Sequence, residues 1–226
     1  MKSIVLLSGG LDSAVSLVQA IKETEVLLCL TFDYGQRSAQ KERESAAFLA
    51  AYYKVKHRLV KLGFLENITK TALVAAAADI PEPEQVDLDD YNKSKAAAAA
   101  VWVPNRNGLF INIAAAFAEA NGCEIIVAGF NREEAATFPD NSVEFVNAAN
   151  SALSYSTLNK VKLVSYTQPL DKIEIIKQGM KEGLPFQHIW SCYRGEDKMC
   201  GRCESCRRFQ RAAKAAGLAG DFFINS

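Results

Sequence analysis

Ile4-Val5-Leu6-Leu7-Ser8-Gly9-Gly10-Leu11-Asp12-Ser13-Ala14-Val15-Ser16-Leu17-Val18 is the stretch that decides how this chain is built. The apolar run Ile4 to Leu7 reads as a buried strand and Ala14 to Val18 as the start of a helix, so the six residues between them form a strand-to-helix turn. Two adjacent glycines let that turn pass close to a bulky anion, because no Cβ intervenes and positive φ costs little. The turn then delivers the anion to the first N–H groups of the helix, which lack intrahelical partners and carry the positive end of the dipole. Ser8 and Ser13 add hydroxyls, and Asp12 adds a carboxylate able to hold a magnesium ion that bridges phosphates. No Gly-Lys-Ser/Thr closes the loop and no Gly-x-Gly-x-x-Gly is present, so it is neither a Walker loop nor a dinucleotide fingerprint.

Strand-like runs recur at Val26 to Phe32, Arg58 to Leu62, Ile125 to Gly129 and Lys162 to Thr167, each separated by enough chain for a helix. Such alternation predicts an α/β domain with a parallel sheet and helices on both faces. Right-handed crossovers then place Ser8 to Ser13 along the sheet edge where ligands of such folds bind. The 226 residues suffice for one substantial core with a small appendage. We divide them into an α/β domain over 1–185 and a C-terminal segment over 186–226.

Lys+Arg and Asp+Glu both number 26, so no net field favours a long nucleic-acid track, and a small-molecule substrate is expected. No apolar run is long enough to cross a bilayer and Met1-Lys2 leads straight into a strand, which together predict a cytoplasmic protein without a membrane partner. In that compartment six cysteines are expected to be ligands or buried thiols, and Cys29, among leucines, is a small core residue.

Several other stretches carry polar residues to strand ends. Asp33-Tyr34-Gly35-Gln36-Arg37-Ser38 follows the second strand, and Asp33 reads either as a ribose or magnesium contact or as a turn cap. The following helix presents Ala46, Leu49 and Tyr53 on one face. Pro81 to Asp90 is proline-punctuated and acidic, predicting a mobile excursion, solvated or acting as a lid or dimer contact. Arg106, held between Pro104 and the helix Gly108 to Ala120, has the planar fork for a phosphate or carboxylate, while Asn107 is read as an N-cap. Asn121-Gly122 closes that helix. Phe138 and Asp140 are placed to stack on and hydrogen-bond a flat heterocycle, although Asp140 or Asn141 capping the next helix, with Glu144 completing a box, explains the same residues. Asp171 with Glu174 reads as a capping box, ended by Gly183 and Pro185.

Cys192, Cys200, Cys203 and Cys206 form Cys-x7-Cys-x2-Cys-x2-Cys. Four soft ligands fill a tetrahedral ion and leave no open position, so the site is structural, with zinc preferred over an iron–sulfur cluster. His188 and His57 are read as ordinary imidazoles, and Arg194, Lys198, Arg202, Arg207, Arg208 and Arg211 as a solvated helix face, some of them able to line an anionic site.

The loop Ser8 to Ser13 resembles the Ser-Gly-Gly-x-Asp-Ser loop of the PP-loop ATP pyrophosphatases. Together with Asp33-Tyr34-Gly35-Gln36-Arg37, Pro104 with Arg106-Asn107, Pro139-Asp140 and the cysteine tail behind Trp190-Ser191-Cys192-Tyr193, it resembles the 7-cyano-7-deazaguanine synthases of queuosine biosynthesis. The resemblance spans almost the whole chain. It implies an adenine-nucleotide alpha-hydrolase-like, Rossmann-like domain with a small zinc-binding segment, working as a homodimer. The implied activity is that of a carbon–nitrogen ligase turning 7-carboxy-7-deazaguanine, ammonia and ATP into the nitrile. Carried onto this chain, it makes Ser8, Asp12, Ser13 and Arg106 catalytic. Ser8, Gly9, Gly10, Leu11, Asp12, Ser13 and Asp33 hold ATP with Mg2+, and Arg106, Asn107, Phe138 and Asp140 hold the substrate. Cys192, Cys200, Cys203 and Cys206 bind one Zn2+ per chain. The chain departs from the family at Ala136-Thr137-Phe138, where Ser-Gly-Tyr is frequent, and at Asn105, where Gly is common. Amidotransferase synthetases and tRNA-modifying sulfurtransferases use a similar loop, but the first would not need the tail and the second usually add a basic domain. A non-catalytic zinc module would leave the loop without a purpose.

Overall fold

The computed structural model describes residues 1–75, 77–84 and 88–220. Strands β1 (Lys2–Leu6), β2 (Glu25–Asp33), β3 (His57–Lys61), β4 (Ile125–Val127) and β5 (Lys162–Val164) form one sheet in the order β3-β2-β1-β4-β5. Every pairing is parallel, as the alternating pattern predicts. The order reverses direction at β1, so a crevice opens beyond the carboxyl ends of β1 and β4, the switch point at which such sheets bind ligands. The loop Ser8 to Ser13 emerges there, directly after β1.

Helices α1 (Leu11–Glu23), α2 (Ala39–Tyr52), α5 (Arg106–Ala120), α7 (Val143–Ser156) and α8 (Lys172–Lys181) flank the sheet. α1 packs on β1, β2 and β4, α8 lies against α1, and α5 packs on β1, β4 and α7. The core they enclose is aliphatic: Ile4, Val5, Leu17, Leu30, Ile111, Ile126 and Ile175 are all fully buried or nearly so. Ala46 and Leu49 on α2 are buried as their spacing predicts. Shorter α3 (Gly63–Ile68), α4 (Tyr91–Ala100) and α6 (Arg132–Ala135) lie between these elements, and α9 (Glu204–Ala216) runs along α8. Among the described residues no helix is long and apolar enough to cross a membrane.

β4 and β5 end two to three residues sooner than their apolar runs suggest, at Val127 and Val164. Beyond them side-chain hydroxyls replace the ladder: Phe130 N donates to Ser165 Oγ at 3.1 Å, and Thr167 Oγ1 donates to the Phe130 carbonyl at 2.6 Å. The backbone is thereby freed to turn toward the crevice.

Two caps differ from expectation. α5 starts at Arg106, with Asn105 as its N-cap at φ +52°, so Asn107 lies inside the first turn and is not the cap. α7 is capped by Ser142, whose Oγ accepts from Phe145 N at 3.1 Å; Asp140 and Asn141 belong instead to a short 3-10 turn, Pro139–Asn141. A serine one residue later offers the same acceptor without steric conflict. The Asp171–Glu174 capping box forms on α8, and Gly122 and Gly183 adopt positive φ after α5 and α8.

The proline-punctuated segment is more firmly built than a solvated excursion. Gln85 to Asp87 lie outside the described residues, but on either side Ile80 and Leu88 are buried, and Glu82 pairs with Arg194 at 2.6 Å. Asp90 caps α4, its Oδ1 accepting from Asn92 N and Lys93 N.

Gly129 follows β4 where that strand passes under the loop. A Cβ there would lie 2.6 Å from Ser13 N and 2.8 Å from the Asp12 carbonyl carbon, both backbone atoms that cannot step aside. Gly129→Ala should therefore lower stability by about 1–3 kcal/mol in urea unfolding, as overpacking does, and reduce turnover more than Gly63→Ala, which meets nothing within 4 Å and does not sit at positive φ. Equal behaviour of the two variants in both assays would show that the close approach is unimportant.

Candidate active site

A cavity of about 260 Å³ lies at the switch point. Its walls come from the β1 loop, the ends of β2 and β4, the first turns of α5 and α8, and the segment Trp190–Tyr193. Of the residues singled out in the sequence, Ser8, Gly10, Leu11, Asp12, Ser13, Arg106, Asn107 and Phe138 line it together.

The loop is shaped from behind. Gly9 takes φ +81°, and a Cβ on it would strike Ser45 and the Glu42 carbonyl. The Gly9 carbonyl accepts from Ser45 Oγ at 2.8 Å and from Trp190 N at 2.9 Å, so α2 and the C-terminal segment both anchor the turn. Gly10 is the N-cap of α1 and supplies no side-chain acceptor. The leading N–H groups of α1 are thus left for an anion, with Ser8 Oγ and Ser13 Oγ 3.1 Å apart beside them.

Asp12 belongs to a buried charge cluster that the sequence did not reveal. Lys172 Nζ contacts Asp12 Oδ2 and lies 2.7 Å from Glu134 Oε1. Burial opposes the lysine's charge, yet the two carboxylates outweigh it and raise its pKa, keeping it an ammonium. Burial likewise pushes Glu134 upward, but Lys172 more than reverses this and holds it below the usual carboxylate range. For Asp12 burial dominates and pushes the carboxyl up to about 6. Its Oδ1 is buried and has no hydrogen-bond partner among the described residues.

Across the cavity Arg106 donates to Tyr34 Oη at 3.2 Å, with its guanidinium 5.7 Å from the centroid of that ring. Burial works against its charge, but Tyr34, Asp140 and Glu42 nearby raise its pKa. Asn107 Nδ2 donates to the Asp140 carbonyl at 3.4 Å. Phe138 lies nearly parallel to Trp102, with centroids 6.3 Å apart, and Phe32 stacks on Phe110 at 4.1 Å. The wall is therefore an aromatic surface interrupted by one fixed cation, suited to a flat anionic ligand. Asp33 and Asp140 stand apart from the cavity lining. Asp33 Oδ1 accepts from Gly35 N at 3.2 Å, closing its own turn, and Asp140 Oδ1 accepts from Asn141 Nδ2 at 3.2 Å.

The four cysteines of the tail converge, with their sulfurs all within 4.8 Å of one another and every residue buried. Cys200 Sγ and Cys206 Sγ are 3.9 Å apart, close to the roughly 3.8 Å edge of a tetrahedron with metal–sulfur bonds of about 2.3 Å and far beyond a disulfide. Backbone N–H groups of Arg194 and Cys200 donate to Cys192 Sγ, and those of Arg202 and Cys203 to Cys200 Sγ, at 3.3–3.4 Å. Such donors favour thiolates, so the donor set is compatible with a metal ion. His188 stacks on Phe48 instead, at 3.4 Å.

The arginines of the tail do not form the solvated face their sequence suggests. Arg208 contacts Glu133 at 2.6 Å and Glu204 at 2.9 Å, Arg211 contacts Asp89 and Glu133, and Arg194 and Arg202 share Glu82. Apart from Glu204, four residues before Arg208 on the same helix, the acidic partners come from sequence-distant segments, so no local pattern could announce those pairings. Lys172 and Glu134 escaped notice for the same reason: each sits beside a helix cap that explains its neighbourhood, and only the fold brings them to Asp12. Tyr34, Trp190 and Tyr193 also line the cavity, although their stretches were noted only for spacing.

Residues 2–217 match the family model described as queuosine biosynthesis protein QueC. Proteins called 7-cyano-7-deazaguanine synthase from Pelotomaculum thermopropionicum and Desulforudis audaxviator are 64% and 56% identical over 218 and 217 residues. Each alignment covers 96% of this chain, and 99% and 98% of those proteins respectively. A protein of the same name from Methanosarcina barkeri is 45% identical, with 96% of both chains covered. A parallel sheet that sets a Ser-Gly-Gly-x-Asp-Ser loop at its switch point, four converging cysteines and a match over nearly the whole length agree, and the chain belongs to the queuosine biosynthesis protein QueC family.

Proposed function

We propose that this chain is an ATP-dependent ligase that converts 7-carboxy-7-deazaguanine and ammonia into 7-cyano-7-deazaguanine. The observation that carries this reading is a single cavity with an uncapped helix N-terminus on one wall and a fixed arginine among aromatic rings on the other. The first wall suits a pyrophosphate and the second a flat, negatively charged heterocycle. Family membership supports the same substrates, since relatives at up to 64% identity bear the name of that synthase.

In this scheme the first N–H groups of α1, with Ser8 and Ser13, hold the β- and γ-phosphates of ATP as charge builds on the departing pyrophosphate. Arg106 holds the carboxylate of the deazapurine and Phe138 stacks on its ring, while Asn107 keeps the start of α5 in register with the Pro139–Asn141 turn. The free, buried oxygen of Asp12 fits a magnesium ion, which when bound supplies charge neutralisation to the phosphates. Cys192, Cys200, Cys203 and Cys206 would hold zinc in a closed, structural site.

The chemistry removes both carboxylate oxygens and adds one nitrogen. The carboxylate attacks the α-phosphorus, releasing pyrophosphate and forming an acyl-adenylate, and ammonia displaces AMP to leave the amide. The amide oxygen then attacks the α-phosphorus of a second ATP, releasing a second pyrophosphate, and loss of AMP and two protons from the adenylated amide yields the nitrile. Holding the reactants in one cavity makes each attack effectively unimolecular.

Mass analysis of the product formed from the acid, ATP and ammonia tests the assignment directly. Asp12→Asn and Ser8→Ala should each lower kcat by roughly 10²–10³-fold, in the range of lost transition-state donors, with unchanged circular dichroism. Wild-type kcat in both would remove the loop from the reaction. Synthetic 7-amido-7-deazaguanine should give the nitrile with ATP alone and release AMP; refusal of the amide would overturn the two-step order. Cys200→Ser should cost solubility and folding, because structural zinc contributes roughly 10–16 kcal/mol in small zinc peptides. Elemental analysis should find one zinc per wild-type chain, and full activity of metal-free protein would contradict a structural role.

A further inference from the structure

Lys172, Asp12 and Glu134 form a compact charge cluster at the mouth of the phosphate-facing loop. Two helix starts fix it. Asn131, fully buried, caps α6 by accepting from Glu134 N at 2.8 Å, and the Asp171–Glu174 box caps α8 immediately before Lys172. Arg132 N donates to the Leu170 carbonyl at 3.0 Å, and its guanidinium reaches Asp171 and Glu174 at 3.2 Å, so the two starts are clamped to each other. The neighbouring Glu133 is committed to Arg208 and Arg211 and faces away. Glu134 is consequently the carboxylate that α6 delivers to Asp12.

Two carboxylates and one ammonium leave the cluster with a net charge of minus one, beside the place where a triphosphate would enter. A triphosphate arriving without a divalent cation would meet like charge at close range. An ammonium touching both carboxylates also holds the position that a hard divalent cation takes between oxygen ligands. Asp12 keeps a second oxygen, buried and without a partner among the described residues.

Building on the reading that the loop holds ATP, we propose that Asp12 and Glu134 form a divalent-cation site which Lys172 fills while nucleotide is absent, and that Lys172 passes to the phosphate oxygens when the metal and triphosphate arrive. The exchange keeps each buried charge compensated at every stage, which a cluster with no resident cation could not do. It assigns Glu134 as a metal ligand and Lys172 as a phosphate-binding residue, roles that neither local sequence nor capping requires of them.

Mn2+ alone, followed by electron paramagnetic resonance, provides the test. Lys172→Met should bind Mn2+ without nucleotide at least 10-fold more tightly than wild type, because the competing ammonium is gone. Glu134→Gln added to Lys172→Met should abolish that gain. If Lys172→Met binds Mn2+ no better than wild type, or the second substitution changes nothing, the exchange is wrong. Should Lys172→Met fail to fold, Mn2+ affinity in the presence of a non-hydrolysable ATP analogue decides: Glu134→Gln should weaken it at least 10-fold relative to wild type, and equal affinity overturns the proposal. Failure of wild-type protein to bind the analogue at all would instead strike at the nucleotide reading itself.

Discussion

A helix that begins without a side-chain cap leaves donors exposed at its positive end, and the start of α1 is such a helix. Its surroundings are arranged to keep it open. Ser45 and Trp190 take the Gly9 carbonyl from outside, Ser13 bonds back to the Gly10 carbonyl, and Gly129 passes beneath so closely that no side chain fits. The Gly9 and Gly10 carbonyls beside these donors are already engaged, which keeps the turn in the shape that opens its N–H groups to the cavity. An uncapped turn elsewhere would fray; here the sheet, α2 and the tail together hold its shape.

Charge pairing does for the periphery what apolar packing does for the core. Glu82 and Asp89 from the 81–90 stretch and Glu133 from α6 receive Arg194, Arg202, Arg208 and Arg211 from the tail. Exposed pairs of this kind contribute little singly. Arg208 differs, since its side chain is only 10% exposed and is shared by two carboxylates and Ser94 Oγ. Removing it would leave the buried Glu204 without its cation, while Glu133 keeps Arg211, so it is the member of the network whose loss would be felt.

The sheet was legible because strand runs and crossovers leave local marks: all five strands stand where apolar periodicity places them, and the Ser8–Ser13 loop carries its own glycines and hydroxyls. The cysteine spacing was legible for the same reason, the ligands being a few residues apart. Capping at Asn107 and Asp140 was misassigned because several polar residues in a row can each serve, and steric details choose among them. The 81–90 stretch looked solvated because its acids were read without their partners. Lys172 and Glu134 were invisible in principle, since a side chain drawn to Asp12 across 160 and 122 positions of sequence leaves no periodic or compositional trace.

Trp190 joins two parts of the molecule that are usually considered separately. Its backbone N–H donates to Gly9 in the loop, while its indole Nε1 donates to the Cys192 carbonyl at 2.9 Å, and Ser191 N reaches Met199 Sδ inside the cysteine knot. The knot and the turn are therefore two ends of one short lever. Thermodynamic reciprocity makes the traffic along such a lever run both ways: if an ion on the thiolates tightens binding at the turn, an occupant of the turn tightens the hold of the thiolates on the ion by the same factor. The cysteines, of which Cys192 borders the cavity, would thus tie its affinity to the metal and redox state of its surroundings.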